Sequence, residues 1–290
     1  MPETSDDQPV VLFLPAFDEE DSVGRVLARV PATAAGRPVL SLVVDDGSTD
    51  RTAERARAAG ATVISLGRNR GLGAAVRRGL AEGRARDAAV IAFCDADGEY
   101  APEELAQVVE PVLAGRADYV VGSRFAGDID RMLLRRRAGN WLLTRALSRL
   151  ARRRITDGQS GYRALSPGAA AAAEIAHDFN YAQVLTIDLL AKGFRYDEVP
   201  ISYRFRESGQ SFVRPVPYLR NVVPTVWRQL QQPRVTTPPE PAHTRPARRS
   251  ERTRAESEPG GGASARGPAT SLGDGPARSE RRQRVKAVVG

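Results

Sequence analysis

The sequence of 290 residues is poor in several residue types, and each shortage excludes a class of protein. Cys94 is the single cysteine, so no disulfide can form within the chain. The two histidines, His177 and His243, lie far apart, which argues against a histidine-based site. No run of about 18 or more apolar residues occurs, and the first residues lack the pattern of a secretory leader. We therefore expect a cytoplasmic protein without a transmembrane helix.

Positive charge is concentrated near the carboxyl end. The formal net charge is +8, and residues 233–290 contain twelve Lys or Arg against six Asp or Glu. Their Pro, Gly, Ser, Arg and Glu predict a disordered tail, and we expect residues 1–8 to be disordered as well. The tail leaves open a protein that binds nucleic acid or an anionic surface. Interleaved Glu, Pro and Gly are more typical of a linker, so we expect no nucleic-acid partner.

Between these ends, residues 9–232 are predicted to form one α/β domain. Apolar runs that read as buried strands alternate with segments whose apolar residues recur at helical spacing. Such alternation predicts a mainly parallel sheet flanked by helices on both faces. The predicted strands are 10–14, 39–44, 62–66, 90–94, 119–121 and 198–203, and the predicted helices are 22–30, 50–59, 73–81, 102–112, 141–150, 169–176, 184–191 and 218–230.

Acidic residues follow three of the predicted strands. Asp18 and Glu19 come after the first, Asp45 and Asp46 after the second, and Asp95, Asp97 and Glu99 after the strand at 90–94. The carboxyl ends of parallel strands meet at one edge of a sheet, where ligands bind. Gathered carboxylates need a compensating cation, and Mg²⁺ and Mn²⁺ prefer oxygen ligands. An isolated Asp-x-Asp is more often a solvated acidic turn, and Asp45, Asp46 and Asp50 could also cap the next helix.

Seven stretches, taken in order and spacing, resemble the motifs of family 2 glycosyltransferases. Among these they are most similar to polyprenyl-phosphate sugar transferases of the dolichol-phosphate mannosyltransferase type. The resemblance extends over residues 9–230. The stretches are PAFDEE (15–20), VVDDGSTDRT (43–52), GRNRGLGAA (67–75), CDADGEYAPEEL (94–105), VGSRF (121–125), DGQSGYRAL (157–165) and EVPISYRFRESGQS (198–211).

The resemblance implies a GT-A fold and inverting transfer of a sugar from a nucleotide-diphosphate donor, linked to UDP, GDP or dTDP, with Mg²⁺ or Mn²⁺. Carried over by motif, Pro15, Phe17 and Glu19 border the nucleotide, and Asp45 and Asp46 meet the base or ribose. Asp95, Asp97 and Glu99 hold the metal and, with Ala96, the diphosphate. Arg124 approaches phosphate or sugar at the mouth of the site, and Arg206 closes over the diphosphate. The chain departs from the family at Phe17, Glu99 and Phe212, where Tyr, Gln and Lys are common.

The acceptor suggested by the resemblance is a polyprenyl phosphate, which is already anionic at pH 7 and needs no base. Arg135, Arg136 and Arg137 could pair with it. A soluble hydroxyl acceptor would need a base, for which Asp157 is the candidate. Residues 218–230 either lie on the inner face of a membrane or pack in the core. A sugar-1-phosphate nucleotidyltransferase is disfavoured, because an acidic stretch follows the first strand instead of a basic, Gly-rich loop.

Overall fold

The computed structural model describes residues 7–130, 134–178 and 181–204. Within these ranges the chain alternates between strands and helices, and a 3-10 turn at Pro102–Glu104 precedes the fourth helix. The strands are β1 (Val10–Ala16), β2 (Thr33–Ala34), β3 (Arg37–Asp45), β4 (Thr62–Ser65), β5 (Val90–Phe93), β6 (Tyr119–Ser123), β7 (Arg163–Leu165) and β8 (Tyr196–Pro200). The helices are α1 (Val23–Leu27), α2 (Thr52–Ala58), α3 (Leu72–Ala85), α4 (Leu105–Leu113), α5 (Leu134–Ala151), α6 (Pro167–Ala172) and α7 (Ala182–Ala191).

The eight described strands form one sheet. Its order is β2-β3-β1-β5-β7-β6-β8, and β4 pairs with the carboxyl-terminal half of β3. Strands β1, β3, β4 and β5 run parallel to their partners in this group, as β6 does to β8. The short strands β2 and β7 pair antiparallel to their neighbours. The prediction of a mainly parallel sheet is confirmed.

Two hydrophobic cores lie on opposite faces of the sheet. Successive strand residues point to opposite faces, so Val11 and Phe13 of β1 join one core, and Leu12 and Leu14 join the other. Helices α3, α5, α6 and α7 cover the first face, and α1, α2 and α4 cover the second. All seven residues of β1 are buried, as a central strand covered on both sides requires.

The structure differs from the sequence-based prediction at several boundaries. Residues 163–165, placed in a loop or left unassigned, form β7. Helix α6 ends at Ala172 instead of 176, because the Glu174 N–H donates to the Asp188 carboxylate (2.9 Å) and leaves the helical path. Helix α1 is shorter than predicted and is followed by β2.

Several predictions concern residues outside those described. They include the disorder of residues 1–6 and 233–290, the helix at 218–230, and Arg206. Arg135, Arg136 and Arg137 lie in α5, but their side chains are outside the described set. None of the helices within the described ranges has the length and apolarity needed to cross a bilayer.

Candidate active site

The three acidic loops meet at one edge of the sheet. Strand β1 lies between β3 and β5, with Ala16 paired to Asp45 and Phe13 paired to Phe93. All three strands run in the same direction, so the residues that follow them emerge side by side. The topology thereby gathers the residues that the motifs single out.

Hydrogen bonds join the first two loops. The Asp18 N–H donates to the Ser48 hydroxyl (3.1 Å), and the Asp18 carboxylate accepts the Thr49 N–H (2.7 Å). Asp18 adopts a left-handed backbone conformation, with φ of 51°. Asp50 accepts the Thr52 N–H (2.9 Å) at the start of α2, but it lies one residue before the N-cap, which is Arg51, so it holds a first-turn N–H without being the predicted cap residue. Burial disfavours the ionised form of Asp50, but hydrogen bonds from the Thr52 hydroxyl and N–H and from the Glu20 N–H keep the pKa of Asp50 below its ordinary value.

The predicted nucleotide-binding residues of β1 and β3 differ in exposure. Pro15 is buried, and Phe17 and Glu19 are half-buried at the rim, where the Glu19 carboxylate accepts the Ser22 hydroxyl (2.6 Å). Asp45 and Asp46 are buried, and Asp45 accepts the Ser48 N–H (3.0 Å).

Asp46 holds the Gly-rich loop that follows β4. Its two carboxylate oxygens accept the N–H groups of Arg70 (2.7 Å) and Gly71 (2.8 Å). Gly47 permits this approach, because a Cβ there would stand 2.3 Å from the backbone of Arg68. Asp46 therefore fixes the shape of the site, and its contact with base or ribose stays a prediction.

The third loop carries the predicted metal ligands. The Asp95 carboxylate packs against Gly161, where a Cβ would lie 2.3 Å from Oδ2. Burial raises the pKa of Asp95 to about 6, and the nearby charge of Glu99 adds to this rise. Asp97 is half-buried and accepts the Glu99 N–H (3.0 Å), while Ala96 and Glu99 are buried.

The arrangement fits an open site for a hard cation. Throughout residues 7–130, 134–178 and 181–204, no three His, Cys, Asp or Glu side chains are grouped as a ready-made metal cage. Mg²⁺ and Mn²⁺ commonly bind one or two carboxylates and complete their shell with water and substrate phosphates. Burial and the charge of Glu99 disfavour the ionised form of Asp95 more than the nearby Arg124 and Arg163 favour it, so a cation bound here would stabilise the carboxylate. Asp95 and Asp97 therefore suit such a cation, and Glu99 stays a predicted third ligand.

A buried ion pair lies beside these loops. Arg124, at the end of β6, donates from Nε (2.6 Å) and Nη2 (2.8 Å) to the two carboxylate oxygens of Asp157. The N–H groups of Arg124 (3.1 Å) and Gln159 (3.1 Å) also donate to this carboxylate. Four donors thus occupy Asp157, which favours an anchoring role over the predicted role as a base.

Two residues that received no role from the sequence support this pair. The Glu198 carboxylate accepts the N–H groups of Thr156 (2.9 Å) and Asp157 (3.2 Å) and the Thr156 hydroxyl (2.8 Å). Arg163 is fully buried and donates to the carbonyls of Ser160 (2.9 Å), Ala182 (2.9 Å) and Gly158 (3.3 Å). Arg163 stands in an otherwise apolar stretch, YRAL, and that was the available signal for a buried arginine.

Comparisons with known proteins agree with the motifs. A family model described as "Glycosyl transferase family 2" matches residues 11–170. A dolichyl-phosphate hexose transferase of Haloferax volcanii is 33% identical over 218 residues, covering 73% of this chain and 89% of the relative. A polyprenol monophosphomannose synthase of Mycolicibacterium smegmatis is 32% identical over 221 residues, covering 70% of this chain and 80% of the relative.

A similar solved structure is glucosyl-3-phosphoglycerate synthase from Mycobacterium tuberculosis, determined in complex with Mn²⁺, UDP-glucose and phosphoglyceric acid. The two structures superpose with a TM-score of 0.62 at 24% identity, covering 78% of this chain and 81% of the other. At this identity the likeness concerns the fold.

Proposed function

Because the chain belongs to glycosyltransferase family 2 and has the GT-A fold, we propose that it transfers a hexose from a nucleotide-diphosphate donor to a polyprenyl phosphate. The observation that carries this proposal is the convergence of three acidic loops beside the buried Arg124–Asp157 pair. Carboxylates on one side can hold a cation and its diphosphate. The Arg124 guanidinium on the other side is fixed by Asp157, which already compensates its charge, so it can orient a second anion without supplying a full counter-charge.

The donor occupies the edge formed by β1, β3 and β5. Pro15, Phe17 and Glu19 border the base and ribose with Asp45 and Asp46, and Asp95 and Asp97 hold Mg²⁺ or Mn²⁺ together with Glu99. When bound, the cation neutralises the charge that develops on the departing diphosphate. Arg206 lies outside the described residues, and its contact with the diphosphate is carried over from the motif alone.

The acceptor presents a phosphate oxygen to the anomeric carbon, on the face opposite the donor diphosphate. One carbon–oxygen bond forms while the bond to the diphosphate breaks, so the configuration inverts. A phosphate monoester is already anionic at pH 7, so no proton must be removed. Arg124 is held in one orientation by its bonds to Asp157, and it orients this acceptor only through the part of its guanidinium that Asp157 leaves unoccupied. The names of the two relatives, which refer to dolichyl phosphate and polyprenol, agree with this choice.

The site of action follows from this acceptor. A polyprenyl phosphate resides in a bilayer, so we place the protein in the cytoplasm and at the inner membrane surface. Transfer to a soluble hydroxyl acceptor is the alternative, and it would require a base in place of Asp157.

Ligand-induced stabilisation tests the proposal. UDP-, GDP- and dTDP-sugars are screened by thermal shift with and without Mn²⁺, and one of them should raise the melting temperature in a Mn²⁺-dependent manner. Asp97→Asn should abolish that shift and lower turnover by about a hundredfold or more while the fold stays intact. Asp21→Asn, at an exposed position before α1, is the matched control and should behave as wild type.

Transfer is then measured with a water-soluble, short-chain prenyl phosphate and with the corresponding uncharged prenol. Product from the phosphate alone supports the proposal. Product from the prenol would favour the hydroxyl acceptor, and a fully active Asp97→Asn enzyme would remove the metal assignment.

A further inference from the structure

Helix α5 exposes two large apolar side chains next to each other. Trp141 is 60% exposed and Leu142 is 62% exposed. Elsewhere in the described ranges the exposed large apolar side chains are Leu40, at 41%, and Leu72, at 38%. The opposite side of α5 is anchored in the fold through the buried Leu147. Contiguous exposed apolar side chains, as distinct from single scattered ones, are typical of interaction surfaces.

The charged residues of the segment that carries this pair are all basic. Residues 131–156 contain nine arginines and no acidic residue. Arg145 and Arg149, on the following turns of α5, are exposed, and the Arg145 guanidinium lies 5.6 Å from the centre of the Trp141 ring. An indole and a leucine, with the Arg145 guanidinium beside the indole ring and Arg149 one turn further along the helix, complement a surface that is anionic outside and apolar beneath. An anionic lipid bilayer has this layered chemistry.

The exposed surface also borders the candidate active site. Thr144, one turn from Trp141, accepts the Gly158 N–H (3.2 Å), and Gly158 follows Asp157. A groove of about 410 Å³ runs beside α5 from Trp141 and Arg145 to Phe125 and Thr156. Phe125 and Thr156 are the sequence neighbours of Arg124 and Asp157. A bilayer in contact with α5 would therefore lie close to the buried ion pair.

We propose that the exposed side of α5 is the surface by which the protein sits on an anionic bilayer, with Trp141 and Leu142 entering the headgroup boundary. The choice of a lipid surface over an acidic protein rests on the proposed lipid-phosphate acceptor. The apolar pair supplies burial, and Arg145 and Arg149 supply attraction to lipid phosphates. The sequence left open whether residues 218–230 contact a membrane or pack in the core, and they lie outside the described residues; the proposed surface is formed by α5.

Vesicle binding of the full-length chain tests the proposal. Sedimentation with vesicles of phosphatidylcholine and phosphatidylglycerol in equal parts should show binding, and vesicles of phosphatidylcholine alone should bind far less. Trp141→Ala/Leu142→Ala should lower the apparent affinity by roughly tenfold or more. Arg145→Gln/Arg149→Gln should lower the apparent affinity for the anionic vesicles by about tenfold at low salt. The loss should be smaller at high salt, because salt screens the attraction to lipid phosphates.

Leu40→Ala and Leu142→Ala form a matched pair of variants. Each removes one exposed leucine, the first from β3 and the second from α5. Leu142→Ala should weaken vesicle binding, and Leu40→Ala should not. Unchanged vesicle binding by Trp141→Ala/Leu142→Ala would overturn the proposal. Any salt-sensitive vesicle binding would then be attributed to the basic residues of 233–290. Equal losses from both leucines would overturn it as well.

An activity measurement separates this proposal from the proposed function. Leu142→Ala should match wild type with a water-soluble prenyl phosphate and lose activity when the same headgroup is presented on a long chain in vesicles. A wild-type enzyme that binds vesicles but transfers nothing to either acceptor would contradict the proposed function alone. Vesicle-based transfer unaffected by Leu142→Ala would contradict the docking surface alone.

Discussion

At the scale of single residues, the Arg124–Asp157 pair shows how two buried charges of the site compensate each other. The Arg124 side chain is 3% exposed and that of Asp157 is fully buried, so neither charge is solvated in the usual way. Their bidentate contact and the further backbone N–H donors compensate for this burial. The same contacts leave Asp157 poorly suited to accept a proton from a substrate.

Replacing Asp157 by Asn distinguishes an anchor from a base. The substitution preserves shape but leaves a buried guanidinium unpaired, which should lower the free energy of unfolding by about 3 kcal/mol or more. Turnover should fall because Arg124 loses its fixed orientation, and the pH dependence of the remaining activity should keep its shape. Chemical denaturation and a pH–rate profile are the two measurements.

Asp118→Asn is the control for this experiment. Asp118 also makes a bidentate pair, with Arg195, but the two side chains are 23% and 50% exposed. Its loss should cost no more than about 1 kcal/mol. An Asp157→Asn enzyme of wild-type stability that loses the acidic limb of its pH–rate profile would instead identify Asp157 as a base.

At the scale of elements, α3 controls the spacing between the Gly-rich loop and the sheet. Two of its glycines face β1 and β5 directly. A Cβ at Gly79 would stand 2.3 Å from the Phe13 ring, and one at Gly83 would stand 2.7 Å from Ile91. The helix therefore lies closer to the strands than a larger residue would allow, and its amino-terminal end reaches the loop held by Asp46.

Gly79→Ala should destabilise the protein, although alanine is the better helix former. Overpacking against Phe13 should cost about 1–3 kcal/mol in chemical denaturation. Gly139→Ala in α5 is the matched control, because nothing lies within 4 Å of a Cβ there. That control should gain about 0.5–1 kcal/mol from helix propensity. Equal effects of the two substitutions would show that α3 is not packed this closely.

At the scale of the whole molecule, the chain combines a nearly neutral body with a basic segment at residues 233–290. The motifs that carry the proposed chemistry all end before residue 212. Removing residues 233–290 should therefore leave transfer to a soluble prenyl phosphate within about twofold of the full-length rate, since every candidate charge–phosphate contact is retained.

The same truncation tests the competing function. A nucleic-acid binder that uses the tail would lose its ligand on truncation, and its affinity would fall steeply with salt. Filter binding with duplex DNA and with single-stranded RNA, before and after truncation, is the measurement. If the full-length protein bound nucleic acid at physiological salt, lost that binding on truncation and showed no sugar transfer, the proposed transferase function would be wrong. Nucleic-acid binding would then be the better-supported function.

Part of the architecture was determined by the sequence alone. Apolar runs at 10–14 and 90–94, and a run at 39–44 interrupted by Ser41, predicted β1, β5 and β3. Strands β1 and β5 are buried at every position, as strands covered on both faces require, whereas β3 is continuously buried only from Leu42 to Asp45. The acidic residues after each run then had to meet at one edge, since parallel neighbours end together. The ordered motifs predicted the family and its fold, which are confirmed.

Other features were decided only by tertiary structure. The three-residue strand β7 has too few residues for a periodic signal, and it exists because β5 and β6 pair with it on either side. Asp157 binds Arg124 from 33 positions away, and Glu198 reaches Thr156 from 42 positions away. Local pattern cannot reveal such pairings, because the folded backbone alone brings the two partners within hydrogen-bonding distance. The sequence thus determined which residues gather at the site, and the tertiary contacts decided which of their charges are already compensated.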